Sequence, residues 1–182
     1  MELKEKESKI IILSGKARSG KDEVAKIIKE YYSNQKVKKL SYAYYLKQYI
    51  KNISNWDGND DNKPRDLLQT IGIDLIKNKI DDKLLINRVI EDIKVYSYFY
   101  DVIIITDARL LDEIEDIKKS FNNVICIRIN RDMDNQLSTE QKNHITETHL
   151  DNYCSFDYVI ENNDDFIDLK NKVKEVLEDI NE

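Results

Sequence analysis

Residues 9–14 read Lys-Ile-Ile-Ile-Leu-Ser, and the chain continues directly as Gly-Lys-Ala-Arg-Ser-Gly-Lys. The apolar run is continuous rather than alternating. That pattern belongs to a strand buried on both faces, and such strands occur in parallel sheets covered by helices. Gly15 to Lys21 fits G-x-x-x-x-G-K, and Val24, Ala25, Ile27 and Ile28 follow at helical spacing. Strand, glycine loop and helix in that order form a phosphate-binding loop. Its inward N–H groups and the positive end of the helix hold an anion, and Lys21 reaches the terminal phosphates. Glycines at 15 and 20 let the backbone come close, which matters more because the chain has only 4 Gly and 1 Pro.

The rest of the chain repeats the alternation of strand and helix. Asp101 to Thr106 (DVIIIT) is a second continuous buried strand, Asn123 to Ile129 a third, and Val37 to Ser41 and Tyr158 to Ile160 are shorter ones. Helices are expected over Lys21 to Tyr32, Ala43 to Ile53, Asp82 to Tyr96 and from Leu111 through Ile117. Asn55 to Lys63 is a loop, and Pro64 opens a helix whose Leu68, Ile71 and Leu75 share a stripe. Asp164 is expected to cap a last helix carrying Phe166, Leu169, Val173, Val176 and Ile180. The polar stretch from Arg131 to Asn143 lacks apolar periodicity and reads as a mobile loop. The sum is an α/β fold of three layers, a central parallel sheet with helices on both faces. Its ligands belong at the carboxyl ends of the strands.

Composition narrows the function. With 182 residues, 41% apolar and 35% charged, one globular domain over 1–182 is expected. The net charge of −6 is spread along the chain, so no basic face for polymeric nucleic acid stands out. No apolar run is long enough to span a membrane, and the charged N-terminus is unlike a signal peptide, so the expected location is cytoplasmic. Cys126 and Cys154 read as reduced core thiols.

The run Gly15-Lys-x-x-Ser19-Gly20-Lys21-Asp22 resembles the deoxynucleoside monophosphate kinases, and is similar also to phosphomevalonate kinase. Four later segments carry the resemblance in order: Ser41-Tyr-Ala-Tyr-Tyr-Leu-Lys47, Pro64-Arg65-x-Leu-Leu-Gln69-x-x-Gly72, Asp107-x-Arg109-x-x-x-Glu113, and His144-Ile-Thr-Glu147. The likeness spans about Ile10 to Asn162 and departs at Glu23, where the family has Thr. It implies a P-loop kinase fold, with ATP and Mg²⁺ used to phosphorylate a deoxynucleoside monophosphate, and a possible homodimer. Another P-loop kinase, of the phosphomevalonate or dephospho-coenzyme A type, or a non-catalytic ATP-binding protein, stays open.

Phosphoryl transfer depends on positioning and charge neutralisation, which sorts the candidate residues. ATP is assigned to Gly15, Lys16, Ala17, Arg18, Ser19, Gly20, Lys21 and Asp22. Arg109, just past a buried strand, is assigned to the acceptor phosphate, its alternative being an i,i+4 pair with Glu113. Asp107 fits either a water-mediated Mg²⁺ contact and proton acceptance, or a helix cap. Asp22 fits Mg²⁺ through water or the helix dipole. The resemblance places Arg65 and Gln69, one turn apart, toward the acceptor, Gln69 suiting a base edge, the alternative being a solvated helix face. Lys47 suits the acceptor phosphate or a plain surface position, and Tyr42 or Tyr45 suits stacking, although packing is the commoner fate of a tyrosine. Arg131 is assigned to a lid-like segment of about 131–150, as the arginine that closes over the phosphates. Arg128 reads as structural, and His144 and His149 as polar residues of that segment.

Overall fold

The computed structural model describes residues 4, 6–59, 61–132, 138 and 142–182. Five parallel strands, β1 (Lys9–Ser14), β2 (Val37–Leu40), β3 (Val102–Ala108), β4 (Val124–Asn130) and β5 (Tyr158–Glu161), lie in the order β2-β3-β1-β4-β5. β1 is central, pairing Lys9 with Val102 of β3 and Ile10 with Val124 of β4. Both of its edges are bonded and both of its faces are covered, which is why its sequence does not alternate.

Seven helices are described: α1 (Lys21–Tyr31), α2 (Ala43–Ile53), α3 (Arg65–Gln69), α4 (Leu84–Tyr96), α5 (Leu111–Ser120), α6 (Ile145–Thr148) and α7 (Phe166–Asp179). Ile11 and Leu13 of β1 pack into a core with Val24 and Ile28 of α1 and Leu169 and Val173 of α7. Ile10 and Ile12 point the other way, to Val89 and Ile93 of α4 and Ile114 and Ile117 of α5. The expected three layers are present, and each such buried aliphatic side chain contributes about 1.5–3 kcal/mol of transfer free energy. A third apolar cluster, Leu46, Ile50, Trp56, Leu68 and Ile76, holds α2 to α3 and the stretch after it.

The chain runs from central β1 out to β2 and β3 and then returns across β1 to β4 and β5. The order reverses beside the carboxyl end of β1, where such sheets bind ligands. Gly15 begins there.

Several expectations need correction. α3 does not continue as an α-helix: Thr70–Ile80 winds as a π-helix, with Asp81 N–H donating to Ile76 O. The wider i→i+5 winding moves the buried face to Leu68, Gly72 and Ile76, leaving Leu75 exposed. The cap of α7 is Asp165, which accepts from Asp168 N–H, while Asp164 pairs with Lys172. Cys126 is buried, but Cys154 is exposed rather than a core thiol. Residues 133–137 and 139–141 of the expected lid lie outside the described residues. Within 142–150 the structure has a short helix, α6, that the sequence reading did not anticipate.

Candidate active site

The loop from Gly15 to Gly20 turns β1 into α1. A Cβ on Gly15 (φ 155°) would sit 2.5 Å from both Ile129 O and Ser19 Oγ, and one on Gly20 (φ 103°) 2.4 Å from Asn162 Nδ2. Both glycines are therefore fixed by space as well as by dihedral angle. Arg18, at φ 62°, is the non-glycine residue with positive φ among those described. Such a conformation persists where the surroundings over-determine it, as at ligand clamps. Asn162 donates to Ser19 O (2.9 Å) and ties the loop to the end of β5.

Lys21 lies inside the loop, 8% exposed, with Nζ donating to Gly15 O and Lys16 O at 2.7 Å each. Burial, and after it the neighbouring Arg109 charge, lower its pKa to about 7. Asp22 and Glu23 stand in the first turn of α1, where carboxylates are favoured. Asp22 pairs with Lys39 of β2 at 2.5 Å, Glu23 with Lys26, and Lys16 with Asp151.

Beside this loop is a cavity of about 190 Å³, walled by Leu46 of α2, Leu68 of α3, Ile73 and Ile76 of the π segment and Leu85 of α4. Tyr42, Lys47, Arg65, Gln69 and Arg109, the five residues expected on the acceptor, all line it, as does Asp107. Arg65 and Gln69 make no side-chain hydrogen bond or ion pair among the described residues. Tyr42 is buried, its hydroxyl donating to Glu113 O at 2.5 Å, so its ring belongs to the core and only borders the cavity. Tyr45 bonds Asp92 instead and is not a lining residue.

Asp107 accepts from Ser41 Oγ (2.7 Å), Tyr42 N (2.9 Å) and Ala43 N (3.0 Å). It thus caps a helix, but the one it caps is α2, across the sheet edge, and not α5, which follows it. α5 is capped by Glu113, whose carboxylate takes the N–H groups of Arg109 (2.7 Å) and Leu110 (2.9 Å). Burial raises Glu113 to about 7 despite those bonds. The Arg109 guanidinium pairs with Glu147 of α6, not with Glu113. Glu147 Oε2 accepts from Ala17 N–H in the phosphate loop at 2.9 Å.

A second cavity, about 630 Å³, opens at the carboxyl ends of β4 and β5, on the other side of Lys16. Arg131 lines it, exposed and immediately past β4, together with Arg128, Asn130 and Glu161. Arg131 is not among the residues lining the first cavity. Arg128 donates to Ser14 Oγ (3.1 Å) and lies over the Phe156 ring. His144 Nδ1 caps α6, and His149 Nδ1 accepts from Leu111 N–H. No group of three or more His, Cys, Asp or Glu among the described residues could hold a metal on its own.

The sequence profile of deoxynucleotide monophosphate kinase matches residues 48–173. The chain belongs to the deoxynucleotide monophosphate kinase family. The match begins after the phosphate loop, so the loop and the family likeness are separate observations. This kinase resembles solved structures along nearly its whole length. A Thermus thermophilus protein superposes with a TM-score of 0.59 at 14% identity, covering 96% of this chain and 98% of its own. The APS kinase of Mycobacterium tuberculosis, in complex with AMPPNP and APS, gives 0.57 at 10% identity, with 97% and 99% covered. Dephospho-CoA kinase of Campylobacter jejuni gives 0.52 at 13%, with 95% and 97% covered. At such identities the likeness establishes the fold, that of the P-loop kinases. No curated protein matches the sequence.

Two carboxylates of the site, both quoted in the resembling segments, were assigned neither to ATP nor to the acceptor from sequence. Glu113 had a local signal, since Leu110-x-x-Glu113 has the spacing of a helix-start carboxylate reaching back to N–H groups. Glu147 closes the His144-Ile-Thr-Glu147 segment, but nothing local points to its partners Ala17 and Arg109, which are remote in sequence.

Proposed function

We propose that this kinase transfers the terminal phosphoryl group of ATP to a deoxynucleoside 5′-monophosphate, giving the diphosphate and ADP. The observation that carries the reading is the convergence of Tyr42, Lys47, Arg65, Gln69 and Arg109 on one cavity beside the phosphate loop. A cavity with apolar walls and a few polar groups, among them Arg65 and Gln69, whose side chains bond no other described residue, suits a base and sugar with one charged end.

The residues present fit the donor. The glycine cradle, too tight for any Cβ, leaves backbone N–H groups to phosphate oxygens. Lys21 exchanges its two carbonyl partners for those oxygens, and their charge keeps its ammonium protonated. Asp107 has lone pairs to spare for a water-mediated metal contact, and Asp22 joins it by leaving Lys39. Mg²⁺ held by these carboxylates would supply charge neutralisation on the donor side. Arg109 and Lys47 hold the acceptor phosphate, Arg109 by a planar two-point contact. Gln69 reads the base edge with Arg65 beside it. Arg131 approaches the phosphates from the second cavity, with 131–150 as a lid on a single domain.

Positioning is most of what such an active site supplies, since transfer is largely dissociative. The test is ADP release from ATP and Mg²⁺ against the common deoxynucleoside monophosphates, AMP, phosphomevalonate and dephospho-coenzyme A. A deoxynucleotide is expected to serve best. Arg65→Ala and Gln69→Ala should each raise its KM about tenfold or more and leave the KM of ATP within about twofold. Turnover only with a non-nucleotide would overturn the acceptor assignment. ATP binding without acceptor-dependent ADP would favour a regulatory protein.

A further inference from the structure

From the contacts of its carboxylate we infer that Glu147 is a positioning residue, clamping Arg109 to the phosphate loop and so setting the distance between the two phosphate-binding halves of the site. The inference rests on the reading of Arg109 as the acceptor-phosphate cation.

Glu147 is 8% exposed, and each of its two carboxylate oxygens has its own partner. One accepts from the Ala17 N–H of the loop at 2.9 Å, and the other pairs with the Arg109 guanidinium, which also approaches Thr146 O at 3.4 Å. One rigid carboxylate therefore joins a backbone atom of the donor loop to a side chain of the acceptor cavity. The link crosses from α6 to β1–α1 on one side and to the end of β3 on the other.

Charge makes the same point. Arg109 and Lys21 are close enough for the arginine to lower the lysine pKa, and Arg128 also feels Arg109. Arg109 thus repels both Lys21 and Arg128, and Glu147 is a carboxylate whose field reaches all three. Without it, Arg109 loses both its anchor and the charge that holds it near Lys21. An arginine side chain on an unheld stem samples many rotamers, and transfer in line requires its phosphate within a fraction of an ångström.

A buried ion pair that merely fills space predicts something different. Its loss costs stability, and activity falls only as far as the folded fraction does. Clamping predicts a catalytic defect at full folding, confined to the acceptor side and the chemical step. It also predicts that Glu147 matters only through Arg109.

The experiment compares wild type, Glu147→Gln, Glu147→Ala, Arg109→Ala and the Arg109→Ala/Glu147→Ala double variant in steady-state kinetics, with melting temperatures measured alongside. Glu147→Gln keeps an acceptor for Ala17 N–H and so guards against loss of folding. It is expected to lower kcat about tenfold to a hundredfold and to leave the KM of ATP within about twofold. The double variant should be no worse than Arg109→Ala alone. Either glutamate variant at wild-type kcat and acceptor KM would overturn the inference. So would losses that multiply in the double variant, or losses that follow the melting temperature. Wild type that turns over no deoxynucleotide removes the proposed reaction and this inference together. An active wild type with unaffected Glu147 variants removes the inference alone.

Discussion

Burial gives two side chains of the site opposite dependences on pH. Lys21, moved from 10.5 to about 7 by burial and then by Arg109, releases its proton in the folded state while the unfolded chain still holds one. Between about 7 and 10.5 the unfolded state binds more protons, so this group makes stability rise with pH there and is flat below it. Glu113, moved from 4.5 to about 7 by burial, keeps its proton in the folded state while the unfolded chain has lost it. Its contribution is present below 4.5 and is lost as pH rises to about 7. In a pH series of thermal melts Lys21→Met should therefore lack a rise in stability that wild type has between about 7 and 10.5, and Glu113→Gln should lack a fall that wild type has between 4.5 and about 7. Unchanged slopes would contradict the burial argument. Individual residues were legible where backbone demands were severe. Gly15, Gly20 and Lys21 came from the motif, whereas the destination of Asp107, a cap on α2, depends on a contact across the sheet edge that no local pattern encodes.

At the scale of elements, the wall of the first cavity is the part that departs most from simple periodicity. β1 and β3 were readable because both of their faces are buried, which writes a continuous apolar run into the sequence. The π segment was not, because its winding shifts the inward face from Leu75 to Ile76 while the sequence still fits an α-helical stripe. α6 is a single turn of four residues, too short to show any period. The apolar cluster of Leu46, Ile50, Trp56, Leu68 and Ile76 stands apart from the two cores on the sheet and backs the first cavity. Ile76→Ala should accordingly destabilise the protein by about 2–5 kcal/mol in denaturant unfolding. In the fraction that remains folded, it should raise the KM of the acceptor and spare that of ATP. Equal rises in both would show that the wall and the phosphate loop are not separable elements.

At the scale of the molecule, the reversal of strand order beside β1 brings together residues from the whole length of the chain. The phosphate loop follows β1, Arg109 follows β3, Arg131 follows β4, and Asn162 follows β5, all at one edge of the sheet. The alternation of strands and helices implied that edge, and the order of short motifs implied most of the residues on it. What sequence did not reveal is how the two halves are joined, since Glu147 reaches Ala17 and Arg109 only after the chain has folded. Among the described residues no helix is long and apolar enough to cross a membrane. In the proposed reaction, phosphate moves from a donor on the glycine loop to a deoxynucleotide in the adjoining cavity. The most direct measurement supplies ATP labelled in its γ-phosphate, Mg²⁺ and each deoxynucleoside monophosphate, and separates the products for wild type and Lys21→Ala. Label is predicted in a deoxynucleoside diphosphate for wild type, with a loss of about a hundredfold or more in Lys21→Ala. Label in inorganic phosphate alone, or equal labelling by Lys21→Ala, would contradict the account.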